Sequence, residues 1–223
     1  MSALDFILTE KSIIVATDTL TRDVDGGVFT FVTKVFPLPH LKSVICGTGS
    51  LDLLIDWFVF VQKQVIGKDI YIINKLAPVE LSKIYSRYKD KLGSKNTSTI
   101  YHFGYSINEE KFVGFAYRSS NNFISEKLPY GTGLKPYGKE IEEFAIKQVN
   151  EKGIKGIIEI MKKQKNIDDN KELKESVGIG GAIHILLLTK EMQFIWECYT
   201  FSDYNDMFNE GIKNLQNNNG VIL

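Results

Sequence analysis

Three side chains near the amino terminus could together activate a hydroxyl for nucleophilic attack. Asp18 lies sixteen positions after Ser2, and Lys34 lies sixteen positions after Asp18. If Met1 is removed, Ser2 presents a hydroxyl and a free α-amine on one residue, so the amine can act as the base for its own hydroxyl. A lysine beside the amine keeps the amine neutral, and an aspartate holds the lysine in place. The spacing therefore predicts a self-contained amino-terminal nucleophile.

Two short runs are predicted to place Ser2 beside Asp18. Residues 2–8 alternate in polarity and residues 12–17 are mostly apolar, which is typical of two strands joined by a three-residue loop. If the last residue of the first run faces Ser12, opposed residue numbers sum to twenty and Ser2 faces Asp18. Directly opposed side chains share one face of the sheet, with Cβ atoms about 5 Å apart.

A third predicted strand, residues 28–36, carries Lys34 among Phe, Val and Thr residues. A lysine in such surroundings costs free energy unless it is partnered. Taken alone, Lys34 is typical of an edge-strand lysine that reaches solvent, and Asp18 is typical of a turn residue at the end of a strand. The joint spacing, together with a glycine turn at Gly47, favours a site.

The first fifty residues resemble the β-subunits of proteasomes and the bacterial peptidase HslV, which are N-terminal nucleophile hydrolases. The resemblance needs no gaps as far as Asp52. It rests on the run from Ser2 to Asp18, on Lys34-Val35 and on Cys46-Gly47-Thr48-Gly49-Ser50-Leu51-Asp52.

The resemblance implies a role for each of these residues. Ser2 becomes the nucleophile, with Asp18 and Lys34 as the catalytic pair. The backbone N–H of Thr48, assisted by Gly49, becomes the oxyanion hole, because such donors stabilise the charge that develops on the attacked carbonyl oxygen. A sixth residue is implied near the nucleophile: Thr132, the centre of Gly131-Thr132-Gly133.

The sequence also departs from that family. An aspartate and a serine usually precede a double glycine late in the chain, and those positions are Ser176 and Ile179 before Gly180 here. Glu175 is the nearby carboxylate that could substitute. Leu20 and Arg22 replace the polar residues that usually follow the aspartate, which puts the family's substrate-backbone contact in doubt.

These departures leave three functions open. The first is an N-terminal serine amide hydrolase, a proteasome-like peptidase that uses Ser2. The second is a catalytically inactive structural or binding subunit, and the third is a small-molecule amidase or acylase on the same fold. If Met1 stays, Lys34 itself would have to act as the base. Cys46 is a poor alternative nucleophile, because no histidine accompanies it and a thiolate needs a cationic neighbour.

Composition limits the classes of protein and of partner. The chain has 223 residues, of which 43% are hydrophobic, which suits one compact domain over residues 1–223. The formal net charge is zero, so nucleic acid or an anionic membrane is not the expected partner. The two cysteines lie in apolar runs, which is typical of reduced thiols in the cytoplasm.

Targeting signals and metal or cofactor motifs are not found. The start lacks the basic and apolar regions of a signal peptide, and the longest apolar run, residues 51–61, is too short for a membrane span. The three histidines are far apart, and no zinc, Walker or dinucleotide motif occurs. We therefore expect no metal and no cofactor.

The order of predicted elements indicates the fold class. Strands, two helices, strands, two helices and strands fit an α+β protein, a four-layer αββα sandwich with two antiparallel sheets between helix layers. Residues 162–175 are polar and predict a solvated loop, and the tail beyond residue 214 is expected to fray. The strands are residues 4–8, 12–17, 28–36, 43–46, 97–105, 111–117, 123–127, 182–189 and 193–200, and the helices are residues 50–66, 78–92, 136–150 and 154–161.

The resemblance implies partners as well. Such sandwiches bury an apolar helix face by stacking into rings, so we expect a homo-oligomeric ring with its site facing a chamber. A peptide or another amide is the expected substrate, and a separate ATPase is a partner that the family allows.

Overall fold

The computed structural model describes residues 3–22, 27–67, 69–88, 97–172, 175–191 and 193–219. Met1 and the predicted nucleophile Ser2 lie outside the described residues. The strands are β1 (Leu4–Leu8), β2 (Ser12–Asp18), β3 (Leu20–Arg22), β4 (Val28–Phe31), β5 (Val35–Leu38), β6 (Ser43–Thr48), β7 (Thr99–Ser106), β8 (Lys111–Arg118), β9 (Ser125–Lys127), β10 (Gly131–Lys135), β11 (Ala182–Thr189) and β12 (Gln193–Thr200). The α-helices are α1 (Leu51–Gln64), α2 (Ile70–Ser86), α3 (Lys139–Lys152), α4 (Ile154–Asp169) and α5 (Tyr204–Asn219).

The described strands form three antiparallel sheets. The first sheet has the order β10-β1-β2-β11-β12, and the second has the order β5-β6-β7-β8-β9. Strands β3 and β4 form a separate two-stranded sheet. The protein is therefore of the α+β class, as predicted from the order of elements.

One hydrophobic cluster joins the two five-stranded sheets. Leu4, Phe6 and Leu8 alternate along β1 and share this cluster with Val44 and Phe103 of the second sheet. A second cluster packs the second sheet against α1 and α2, and a third packs the first sheet against α4. Each large sheet therefore buries side chains on both of its faces.

The hairpin of β1 and β2 forms as predicted, but its register is shifted by one residue. Leu4 pairs with Thr17, so opposed residue numbers sum to twenty-one rather than twenty. The reason is the turn: the Thr9 N–H donates to the Ser12 carbonyl over 2.9 Å, which shortens the loop to two residues. Asp18 is thus opposite Ala3, and the predicted opposition of Asp18 to Ser2 is wrong.

The predicted third strand is broken where it carries Lys34. Strand β4 ends at Phe31 and β5 begins at Val35, so Lys34 lies in the connection between two sheets. Leaving one sheet for the other turns the backbone there, and the lysine side chain becomes buried rather than edge-exposed. The alternative interpretation of Lys34, as an edge-strand lysine that reaches solvent, is therefore excluded.

Two helices have bounds that differ from the predicted ones, because one contains a proline and the other has a polar second half. Helix α2 begins at Ile70, with the Asp69 side chain accepting from the Tyr71 N–H over 3.0 Å, and it continues through Pro78. Helix α4 continues to Asp169 through the segment predicted as a loop, because three polar side chains are buried on it: Gln164, Lys165 and Asp168.

Two shorter segments also have a secondary structure that differs from the prediction. Residues 131–135 were not among the predicted strands, but they form strand β10 at the edge of the first sheet. The tail predicted to fray is helical to Asn219. Among the described helices, none is both long enough and apolar enough to cross a membrane.

Candidate functional site

A buried ion pair connects two of the predicted catalytic residues. Lys34 Nζ lies 2.9 Å from Asp18 Oδ1, and the two side chains are 4% and 0% exposed. Asp18 is the last residue of β2, and Lys34 precedes β5. Lys34 also donates to the carbonyl of Leu20, so its ammonium group is held from two directions.

The Asp18 carboxylate also accepts hydrogen bonds from two backbone N–H groups. Its Oδ1 accepts from the Ala3 N–H over 3.0 Å, and its Oδ2 accepts from the Gly180 N–H over 3.2 Å. A carboxylate with these donors links the amino-terminal strand, Lys34 and the connection before β11. Ala3 directly follows Ser2 in the chain, so the ion pair lies next to the amino-terminal residues.

Burial shifts the pKa of each partner in the direction that favours its neutral form. Burial lowers the pKa of Lys34, and the charge of Asp18 and its hydrogen bond to Lys34 partly offset this. Burial raises the pKa of Asp18, and Lys34 with the N–H groups of Gly180 and Ala3 partly offset it. Within the pair, each charge therefore favours the charged form of its partner, as expected for an ion pair enclosed by protein.

The residues predicted to form the oxyanion hole lie beside the same cavity as Lys34. Lys34, Thr48 and Gly49 line one small cavity of about 40 Å³. Gly49 has φ +101°, and a Cβ there would lie 2.5 Å from the Thr97 carbonyl, so this turn requires glycine. Helix α1 begins just after it with Ser50 as its cap, and the positive end of a helix favours a negative charge nearby.

The Thr48 side chain offers one further polar group in this cavity. Its hydroxyl is buried and has no hydrogen-bond partner among the described residues. Such a group costs free energy unless a ligand or water satisfies it.

Thr132 is not brought to the ion pair. Strand β10 pairs Thr132 with Ile7, whereas Lys135 pairs with Leu4 at the end nearer Ala3. Three residues along a strand span about 10 Å, and Thr132 is exposed. The Gly-Thr-Gly run therefore lies on the strand that pairs with β1, at the end away from Ala3.

Sequence reasoning missed a carboxylate that organises the connection before β11. Asp168 accepts from the Ser176 hydroxyl over 2.9 Å and from the N–H groups of Val177, Gly178 and Ile179 over 2.8 to 3.2 Å. Although burial opposes it, these hydrogen bonds lower the pKa of Asp168.

Asp168, rather than Glu175, is the buried carboxylate that organises this connection. The Glu175 side chain is exposed, whereas Asp168 is buried on the end of α4. The only signal in the sequence was an aspartate eight residues before Ser176, which no short-range pattern distinguishes.

Cys46 is unsuited to act as a nucleophile. It is fully buried, and burial raises the pKa of its thiol. Within the described residues, no group of three or more His, Cys, Asp or Glu side chains is arranged to hold a metal ion.

Solved structures share this arrangement of elements. Anbu (ancestral beta-subunit) from Yersinia bercovieri superposes with a TM-score of 0.60 at 13% identity, over 100% of this chain and 99% of that chain. The chain shares the fold of Anbu. An Anbu (Gly-1) mutant from Hyphomicrobium sp. strain MC1 gives a TM-score of 0.58 at 12% identity, over 100% of this chain and 98% of that chain.

These comparisons correct the family suggested by the amino-terminal motifs. No protein-family model matches the chain, and no curated protein matches it. The assignment to the proteasome β-subunit and HslV family is therefore wrong as stated. The likeness that is found is to Anbu, and at 13% identity it is a likeness of fold.

Proposed function

We propose that this protein is an N-terminal nucleophile hydrolase that cleaves an amide bond with Ser2 after Met1 is removed. The observation that carries the proposal is the buried Asp18–Lys34 pair, bonded to the backbone of Ala3. An ion pair buried so completely costs free energy to desolvate, and such groups concentrate at functional sites. A fold shared with an ancestral beta-subunit is consistent with a hydrolase.

The proposed reaction begins with the transfer of the acyl group to Ser2. The Ser2 hydroxyl oxygen attacks the amide carbonyl carbon, and the Ser2 α-amine takes the hydroxyl proton. The positive charge of Lys34, oriented by Asp18, lowers the pKa of that amine so that it is neutral before attack.

The second half of the reaction releases both products. The N–H groups of Thr48 and Gly49 stabilise the oxyanion. The C–N bond then breaks, and the leaving amine takes the proton from the α-amine. Water hydrolyses the ester on Ser2 by the reverse sequence of proton transfers, which frees the acid and restores the enzyme.

We propose two larger features together with this activity. The first is a four-layer αββα arrangement, which the three hydrophobic clusters support. The second is a homo-oligomer, which the partly exposed apolar residues of α1 and α2 support. A peptide or another amide is the proposed substrate, because the proposed nucleophile attacks an amide carbonyl.

Covalent labelling tests the nucleophile. A peptide epoxyketone closes a ring only on a hydroxyl and an α-amine of the same residue, so its adduct identifies an amino-terminal serine. We expect the intact mass to show loss of Met1 and one adduct, and peptide mapping to place the adduct on Ser2. A retained Met1, or a free Ser2 that a panel of such probes leaves unmodified, contradicts the proposal and indicates a non-catalytic subunit.

Three variants make the labelling specific. Ser2→Ala should abolish the adduct and any amidase activity, whereas Ser12→Ala removes a hydroxyl from the same hairpin and should keep both. Lys34→Met should keep Ser2 but slow labelling, by about 100-fold if the lysine sets the protonation of the amine. Equal labelling of the wild type and Lys34→Met would remove Lys34 from the mechanism.

A further inference from the structure

A larger cavity lies beside strand β10, apart from the small cavity at Lys34. Its volume is about 600 Å³, which is within the range of cavities that hold small molecules. Most of its lining is apolar or aromatic, and none of its lining residues is acidic. The residues used below are Phe6, Tyr101, Arg118, Gly133, Lys135 and Val177.

Two aromatic rings form the floor of this cavity. Phe6 and Tyr101 lie with ring centroids 5.8 Å apart, one on each large sheet. At Gly133, a Cβ would lie 2.2 Å from the Phe6 ring, so the ring occupies the space that any other residue would need. Glycine in β10 thus lets an aromatic ring form the base of the cavity, where an apolar group can pack.

The cavity carries one positive charge that no acidic side chain balances. Arg118 is paired with Glu126 over 3.0 Å. Lys135 Nζ instead donates to the neutral Thr99 hydroxyl over 2.8 Å, and no ion pair joins Lys135 to a carboxylate of the described residues. Burial and the charge of Arg118 lower the pKa of Lys135 to about 8. An anion at Lys135 would remove this cost.

The cavity begins next to the candidate site. Lys135 pairs with Leu4, which follows the residue that binds Asp18. Its hydroxyl partner, Thr99, pairs with Thr48 of the glycine turn. The ammonium group of Lys135 is therefore one strand away from the proposed oxyanion donor, and the cavity extends from there.

We propose that this cavity binds an apolar group that carries one carboxylate, with the carboxylate on Lys135. We propose further that this group is the acyl part of the amide that the candidate site cleaves, a step that rests on the proposed function. The aromatic floor selects the apolar body, and the unbalanced ammonium group selects the charge. A second cation, Arg118, is already neutralised, so one negative charge is preferred over two.

Binding of small probes tests the cavity without any reaction. Octanoate, octanol and octylammonium share one apolar chain and differ in charge. By calorimetry we expect octanoate to bind at least about tenfold more tightly than octanol, as expected for a charge-assisted hydrogen bond, and octylammonium to bind most weakly. In amide NMR spectra, octanoate should shift the resonances of residues 130–135. Equal affinities for octanoate and octanol, or shifts confined to other regions, would overturn the assignment.

Variants with matched controls assign the charge to Lys135. Lys135→Met should remove the preference for octanoate over octanol, and Lys135→Arg should keep it. Lys139→Met changes an exposed lysine four residues away and should leave all affinities unchanged. If Lys135→Met does not fold, the outcome for Lys135→Arg decides, because loss of the preference with the charge retained would contradict the proposal.

Labelling separates this inference from the proposed function. Two peptide epoxyketones that differ only by Glu or Gln at one position are compared on Ser2. We expect the Glu probe to label faster by about tenfold, and Lys135→Met to remove the difference. Labelling of Ser2 without preference for any acidic position would refute the substrate class and leave the hydrolase intact. Octanoate binding without any labelling would keep the cavity and refute the hydrolase.

Discussion

Lys34 and Asp18 are interdependent, because each neutralises a charge that is buried with it. Removing one partner leaves the other charge without compensation, and this costs more than removing both. The pair also spans three parts of the chain through Ala3, Leu20 and Gly180. The pair therefore contributes to the stability of the fold, and this contribution can be measured by unfolding, without any reaction.

The first prediction concerns the free energy of unfolding when the pair is broken. Lys34→Met should destabilise the protein by about 3 to 5 kcal/mol, because the Asp18 carboxylate stays buried without a cation. Asp18→Asn combined with Lys34→Met should be more stable than Lys34→Met alone. Guanidinium unfolding at pH 7 measures both. A loss below about 1 kcal/mol for Lys34→Met would show that Asp18 does not depend on it.

A second buried carboxylate, Asp5, gives a pH-dependent prediction. Asp5 is 1% exposed, and its Oδ1 accepts from Gln164 Nε2 over 2.9 Å and from the Lys135 N–H over 3.3 Å. Burial raises its pKa to about 7, partly offset by these two hydrogen bonds. Between about pH 4 and pH 7 the folded state holds a proton that the unfolded state has released. Stability from Asp5 is thus full below this window and is lost as pH rises through it.

Asp5→Asn should remove that pH dependence. The wild type should lose up to about 1.4 kcal/mol per pH unit relative to the variant across the window, so the variant gains most at pH 8. Asp206→Asn, at an exposed position on α5, controls for the change in net charge. Thermal and urea unfolding at pH 5 and pH 8 measure the difference. Parallel pH profiles for the wild type and Asp5→Asn would contradict the raised pKa.

At the scale of elements, helix α4 determines the path of the chain before β11. Asp168 near its end binds three consecutive N–H groups and the Ser176 hydroxyl. The same connection leads to Gly180, which donates to Asp18, and Val177 lines the larger cavity. One carboxylate on a helix thereby links the site and the cavity.

Asp168→Ala should destabilise the protein by about 2 to 4 kcal/mol, because three buried N–H groups lose a charged acceptor. Hydrogen exchange should accelerate at residues 177–179 more than elsewhere. Because the folded-state pKa of Asp168 is lowered, its stabilisation is present above the unfolded pKa and is lost as pH falls. Asp169→Ala removes the adjacent carboxylate, which is 53% exposed, and should cost less than about 1 kcal/mol. Similar losses for both variants would refute the special role of Asp168.

The sequence predicted those elements whose signal is local. Strands β11 and β12 have the predicted bounds, because their apolar runs end at a clear turn. Helix α1 begins within one residue of its predicted start, because Ser50 is a strong helix cap. The register of the first hairpin was wrong because one hydrogen bond between Thr9 and Ser12 shortened the loop, and nothing in the strand pattern reports loop length.

The candidate site was predictable in part for a similar reason. Asp18 and Lys34 could be paired by spacing, and the structure brings them to 2.9 Å. Asp168 could not be found, because it lies in the last turns of α4, where the buried side chains are polar. Lys135 was not recognised either, since the short strand β10 contains two glycines and shows no strand pattern. Long-range contacts between polar residues leave no periodic signal in a single sequence.

At the scale of the whole molecule, partly exposed apolar residues on α1 and α2 need an explanation. Ile72, Leu76 and Val79 recur on one side of α2 and are 39%, 37% and 57% exposed, and Ile55 and Val59 add to them from α1. Both helices bury their other sides against the second sheet. Several exposed apolar residues on neighbouring helices are typical of an interaction site, and a second copy of the chain is the proposed occupant.

Sedimentation velocity tests this interface directly. The wild type should sediment as an oligomer at micromolar concentration, and Leu76→Glu combined with Val79→Glu should sediment as a monomer, because two charges would be buried unpaired on association. Ile146→Glu changes a residue on α3 that is also 57% exposed and should leave the oligomer intact. A monomeric wild type would refute the oligomer. Dissociation by Ile146→Glu alone would place the interface on α3, because a charge disrupts association only where it is buried.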